Sequence, residues 1–72
     1  MAQEVLAPLA GGVVRVEVEV GDRIEEDDEV VVLDVLKMET PVYAPCDGTV
    51  SKIAVKEGST VEEDDLLIVI ED

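Results

Sequence analysis

The 72-residue chain has no histidine, tryptophan or phenylalanine, one tyrosine, one cysteine and only five basic residues. A single cysteine excludes an intrachain disulfide, and without histidine there is no Cys/His cluster to hold a structural zinc. Catalysis by the thiol would ordinarily need a histidine or a cationic surrounding. Cys46 therefore reads as a small packing residue in a reducing compartment. Five basic residues stand against 19 acidic ones, giving a formal net charge of −14. That balance excludes a nucleic-acid backbone and an anionic membrane surface as partners, since both are held by clustered Lys and Arg. It is compatible with basic faces on protein partners, although acidic turns also serve simple solubility. No apolar run approaches the roughly 20 residues of a membrane-spanning helix. Met1-Ala2-Gln3-Glu4 has neither the basic start nor the apolar stretch of a signal peptide. The expectation is a cytoplasmic chain with no direct membrane insertion.

What the chain does have is Val, Ile and Leu in short, ordered runs. Branched side chains of this kind favour strands, and the length suffices for one small domain, 1–72. Residues 7–35 align with 44–72 without a gap, at a constant offset of 37 residues, and eleven of the 29 pairs are identical. Ala7-Pro8 matches Ala44-Pro45, Gly11 matches Gly48, and Gly21 matches Gly58. Glu25-Glu26-Asp27-Asp28 matches Glu62-Glu63-Asp64-Asp65, and further back Val5 falls on Val42. The chain is thus an internal repeat, 1–35 and 38–72, with Leu36 and Lys37 in neither half.

Each half reads as about four short strands. Val14 to Val20 alternates apolar and charged residues, the period of a half-buried strand, and Ser51 to Lys56 keeps the same phase. Gly21-Asp22 and Gly58-Ser59 are turn signals; Gly11, Gly21, Gly48 and Gly58 are all expected as turn residues. Short strands are predicted around Arg23–Glu25 and Thr60–Glu62, each ahead of an acidic turn. The apolar runs Val30–Leu33 and Leu67–Ile70 suit strands buried on both faces. The acidic runs lack the spaced Asp-x-Asp-x-Asp-Gly of a calcium loop and read as solvated turns. The expected fold is all-β: a flattened barrel or sandwich of two four-stranded antiparallel sheets with pseudo-twofold symmetry, a barrel-sandwich hybrid.

A strand over Val30–Val35 must then reach one over Met38–Tyr43 across two residues, which is a tight hairpin. Lys37 belongs at its tip. Favoured two-residue turns need positive φ and carry Asn-Gly or Asp-Gly, whereas this one is Leu36-Lys37. Holding such residues there costs on the order of 1–3 kcal/mol each, and broken local rules of this sort tend to mark function.

Asp34-Val35-Leu36-Lys37-Met38-Glu39-Thr40, followed by Ala44-Pro45 and Gly48, resembles the attachment segment of biotin carboxyl carrier domains. In that family the modified lysine lies between two methionines. Lys37 falls on that lysine and Met38 on the second methionine; Leu36 stands in place of the first, and Val35 where alanine is common. The uninterrupted first half resembles the thumbless type. The resemblance implies covalent biotin on Lys37, attached by a biotin–protein ligase that reads Leu36 and Met38. It implies a non-catalytic carrier moving a carboxyl group between a biotin carboxylase and a carboxyltransferase or decarboxylase. Such carriers occur freestanding or within longer chains. Two other readings stay open. Lipoyl domains share the fold and also modify a hairpin lysine, but theirs follows an acidic residue and precedes a small one, unlike Leu36 and Met38. An unmodified interaction module would leave Lys37 a plain turn lysine, with Met38, Glu39 and Thr40 ordinary strand residues.

Overall fold

A computed structural model of the protein describes residues 2–72; Met1, counted above in the domain and in the first repeat, lies outside them. The branched runs form eight strands in chain order: β1 (Ala2–Leu6), β2 (Gly11–Val16), β3 (Arg23–Ile24), β4 (Glu29–Val35), β5 (Met38–Tyr43), β6 (Gly48–Ile53), β7 (Thr60–Val61) and β8 (Leu66–Glu71). Strands β1–β4 occupy the first half and β5–β8 the second, each at an offset near 37 from its counterpart. The chain therefore has the all-β, two-sheet architecture its pattern predicts.

The halves do not make one sheet each. One antiparallel sheet has the order β1-β8-β6-β3 and the other β5-β4-β2-β7. Each sheet takes two neighbouring strands from one half, and its two edges from the other half. Replacing every strand by its repeat partner converts one order into the other, which is the pseudo-twofold relation. The molecule measures 33 × 17 × 17 Å, an elongated body built along its strands.

Backbone hydrogen bonds tie the halves together in matched sets. The Gly21 N–H donates to the Val50 carbonyl (2.8 Å) and the Gly58 N–H to that of Val13 (2.9 Å). The Asp27 N–H donates to the Ala44 carbonyl (2.9 Å) and the Asp64 N–H to that of Ala7 (2.8 Å). These bonds satisfy turn backbone that the ladders leave unpaired.

Core packing follows from which strands are central. β4 and β8 lie inside their sheets, and Val30, Val31, Leu33, Leu67, Ile68 and Ile70 are each fully enclosed, at 0% exposure. Burial of a side chain of this size contributes about 1.5–3 kcal/mol. Val5, Ala7, Val13, Val18, Ile24, Val42, Ala44, Val50 and Val61 complete one continuous core, with Cys46 half-buried against it.

Two expectations are corrected. The alternating run from Val14 to Val20 is not one strand: β2 starts earlier, at Gly11, and stops at Val16, while its counterpart β6 runs Gly48–Ile53 rather than Ser51–Lys56. The register shifts between Val13 and Arg15 and again between Val50 and Lys52. An extra residue of this kind bends the strand. Beyond β2 Val18 is still buried, but Val20 lies in the turn closed by the Asp22 N–H on the Glu19 carbonyl and is exposed. Gly11 and Gly48 are likewise strand residues rather than turn residues. A Cβ on Gly11 would meet the Asp34 carbonyl oxygen at 2.5 Å, and one on Gly48 the Glu71 carbonyl oxygen at 2.6 Å. They are glycines because another backbone passes where a side chain would stand. Gly21 and Gly58, with φ of 98° and 88°, are the true turn glycines.

Candidate functional site

The β4–β5 hairpin is built from its buried end outward. Val31 pairs with Val42, Val32 with Pro41, Leu33 with Thr40, Asp34 with Glu39 and Val35 with Met38. The buried residues of β4, covered on both faces, lock this register, because a slip by one residue would exchange the side chains on its two faces and break the packing of both. Two residues remain for the turn. Leu36 has φ 53° and Lys37 φ 67°, and positive φ at both central positions is the type I′ geometry that matches the strand twist. Each such non-glycine residue costs roughly 1–2 kcal/mol. The four buried residues Val30–Leu33, at about 1.5–3 kcal/mol apiece, outweigh two strained ones. The strands impose the turn, rather than the turn residues choosing it.

The tip stands clear of the body. Leu36 is 92% exposed and Met38 71%, and Lys37 is exposed between them. Among the described residues Lys37 makes no salt bridge or side-chain hydrogen bond. An exposed, unengaged primary amine on a rigid two-strand support, flanked by apolar side chains, fits covalent attachment of a small carboxylic acid through an amide. Residues 36, 37 and 38, singled out in the sequence, are thus brought together at one point.

Behind the tip lies a feature that the sequence pattern does not reveal. Asp34 and Glu39 face each other on the outer side of the hairpin, a like-charge pair that disfavours the ladder. Arg15, on β2, reaches past β4 to Glu39, with Nη2 at 3.7 Å from Oε1, while its Nε donates to Glu17 Oε1 at 2.8 Å. The hydrogen bond to Glu17, and then the charge of Glu39, raise the Arg15 pKa above its ordinary value. Arg15 is thus the counter-charge beneath the hairpin. Alternation placed Arg15 on an outer face, but its partner depends on which strands neighbour β2. Glu39 and Thr40 are ordinary members of β5.

The acidic runs act as turns. The Glu25 N–H donates to Asp28 Oδ2 and the Glu62 N–H to Asp65 Oδ2, both at 2.9 Å. These carboxylates close their own loops.

Set against known proteins, residues 3–70 match the family model described as biotin-requiring enzyme. The chain is similar to part of the urea carboxylase of Kluyveromyces lactis, with 34% identity and a TM-score of 0.93 over 99% of this chain and 6% of that one. It is also similar to part of a single-chain, multi-domain long-chain acyl-CoA carboxylase, with 31% identity and a TM-score of 0.89 over 94% of this chain and 7% of that one. No curated protein sequence matches it. The fold and the protruding lysine hairpin define a small carrier-type β-domain, and the chain belongs to the biotin-requiring enzyme family. It spans less than a tenth of the two carboxylases it resembles.

Proposed function

We propose that this protein is a biotin carboxyl carrier in which Lys37 receives biotin as an amide and the domain presents it to partner active sites. The observation that carries the reading is the hairpin tip: an unengaged amine held outward by a turn that its own residues disfavour. Family membership and the two carboxylase relatives support biotin over lipoate, as do the apolar neighbours of the lysine.

Each residue of the tip has a distinct task on this reading. Lys37 acts as a nucleophile once: its Nζ attacks the acyl carbon of biotinyl-adenylate held by a separate biotin–protein ligase. The amide bond forms and the acyl–phosphate bond breaks to release AMP. An amine attacks only in its neutral form, so the ligase must accept the proton. Leu36 and Met38 form the apolar surface by which the ligase recognises the tip, and leucine fills nearly the volume of the methionine it replaces. The attached cofactor supplies a ureido nitrogen that takes up and gives up a carboxyl group. The domain's own residues supply reach and rigidity, not catalysis. Tethering raises the effective concentration at each partner site into the millimolar range. The partners are a biotin carboxylase and a carboxyltransferase or decarboxylase, and the choice of acyl acceptor lies with them.

Co-expression with a biotin–protein ligase, and separately with a lipoate ligase, followed by intact-mass measurement, tests this. The expected result is a gain of one biotin, absent in Lys37→Ala, and no lipoyl adduct. A lipoyl adduct would make the chain a lipoyl carrier, and no adduct with either ligase would leave an unmodified interaction module.

A further inference from the structure

β1 and β5 are edge strands of different sheets, and an open groove of about 490 Å³ lies between them. Val5 and Val42, Leu6 and Tyr43, and Pro8 and Pro45 line it. Each pair is separated by the repeat offset of 37 residues. The remaining lining residues, Glu4 and Pro41, form a fourth pair at the same offset. The groove therefore straddles the pseudo-twofold axis, away from the hairpin tip. It exists only because the halves exchange their outer strands, which sets β1 beside β5.

Its floor and walls differ in character. The chain's one aromatic residue, Tyr43, is 53% exposed here and Leu6 41%. A half-exposed tyrosine in a concave site is a usual anchor of protein interfaces, and Leu6 extends its apolar surface. Beside them stand the two acidic turns. The Ala44 N–H, between Tyr43 and Pro45, donates to the Asp28 carbonyl at 2.8 Å, and the Ala7 N–H, next to Pro8, donates to the Asp65 carbonyl at 2.8 Å. Each end of the groove is thus joined by one backbone hydrogen bond to a turn of four consecutive acidic residues, and Glu29 sits opposite Tyr43 in the ladder. None of the five basic residues lines it.

Charge decides what can occupy such a site. A second copy would bring a further net charge of −14 to a face that is already acidic, and an anionic membrane is repelled for the same reason. We infer that the groove docks an extended, basic segment of a partner protein, with an apolar side chain seated between Leu6 and Tyr43 and Lys or Arg on either side facing the acidic turns. The segment is extended because the groove runs between two strand edges. Docking here would hold a partner while leaving Lys37 free, and the inference does not depend on what is attached there.

The test is an NMR titration of the 72-residue chain with a capped peptide of three leucines flanked on each side by three lysines. Amide shifts are expected to concentrate at residues 4–8 and 41–45. Raising salt should weaken binding, because the flanking contacts are screened. Replacing the leucines by serine is expected to weaken it roughly tenfold, about the effect of losing one buried apolar anchor. Tyr43→Ser should weaken it about fivefold or more. Glu26→Gln with Glu63→Gln, both on exposed turns outside the core, should weaken it without touching the apolar floor. Shifts spread evenly over the acidic surface, with Tyr43→Ser and the serine peptide binding as well as their parents, would overturn the inference, as would no binding. A concentration-dependent dimer in sedimentation, lost in Tyr43→Ser, would overturn it in favour of self-association.

Discussion

Four non-glycine residues among those described have positive φ, and they fall into two pairs. Asp27 and Asp64 sit at equivalent places in the two acidic turns, whereas Leu36 and Lys37 sit together at the hairpin tip. The acidic turns use a residue that tolerates the left-handed region. They are closed by a neighbouring carboxylate and bonded to the opposite half through Ala44 and Ala7. The tip has none of this. Its residues are poor choices for the conformation, their side chains are unengaged, and only the strands behind them maintain it. The difference separates turns that stabilise the fold from a turn that the fold stabilises so that it can be displayed.

The largest expected effect lies on the displayed side. Lys37→Ala should abolish biotinylation completely while leaving the melting temperature nearly unchanged; intact mass and a thermal melt read the two quantities. Modification of the wild type should also make the protein one unit more negative than its formal −14, visible by isoelectric focusing. Next comes the support. Leu33→Ala, in the strand that imposes the turn, should cost about 2–5 kcal/mol in denaturant unfolding; a cost well below that would mean that the hairpin is not held from beneath. On the stabilising side, Asp28→Ala and Asp65→Ala should each cost about 0.5–1.5 kcal/mol. The two losses should be similar because the turns are equivalent, and a large inequality would break the symmetry. Leu36→Asn should raise stability by up to about 1 kcal/mol and slow modification by the ligase, opposite signs that no acidic-turn variant should show. Smallest is Arg15→Gln. Its pairs with Glu17 and Glu39 are well exposed, and such pairs contribute at most about 1 kcal/mol, with the loss diminishing in high salt.

Much of this was legible in the linear pattern, for a physical reason. The repeat offset, the two-residue gap around Lys37 and the composition of the buried runs are properties of neighbours in the chain. Strand existence and the hairpin tip follow from them. Strand limits were less legible. The alternation from Val14 to Val20 continues past the end of β2, because a bulge and a turn change which way the side chains face without changing the letters. Gly11 and Gly48 look like turn glycines for the same reason: nothing in the sequence says that a distant backbone crosses them.

The sequence by itself determined the eight-strand duplication, the buried runs and the position of Lys37 between its two halves, since local periodicity and spacing encode each of these. Beyond the β4–β5 hairpin, only the tertiary structure decided which strands neighbour one another, and with that how the halves exchange their outer strands. Pairing between β-strands is non-local, and a strand's own pattern names the face it buries but not the neighbour it takes. The strand order brings Arg15 under Glu39, sets the backbone of a neighbouring strand against Gly11 and Gly48, and opens the groove between β1 and β5. It also gives the hairpin a support firm enough to hold two residues in a conformation neither prefers.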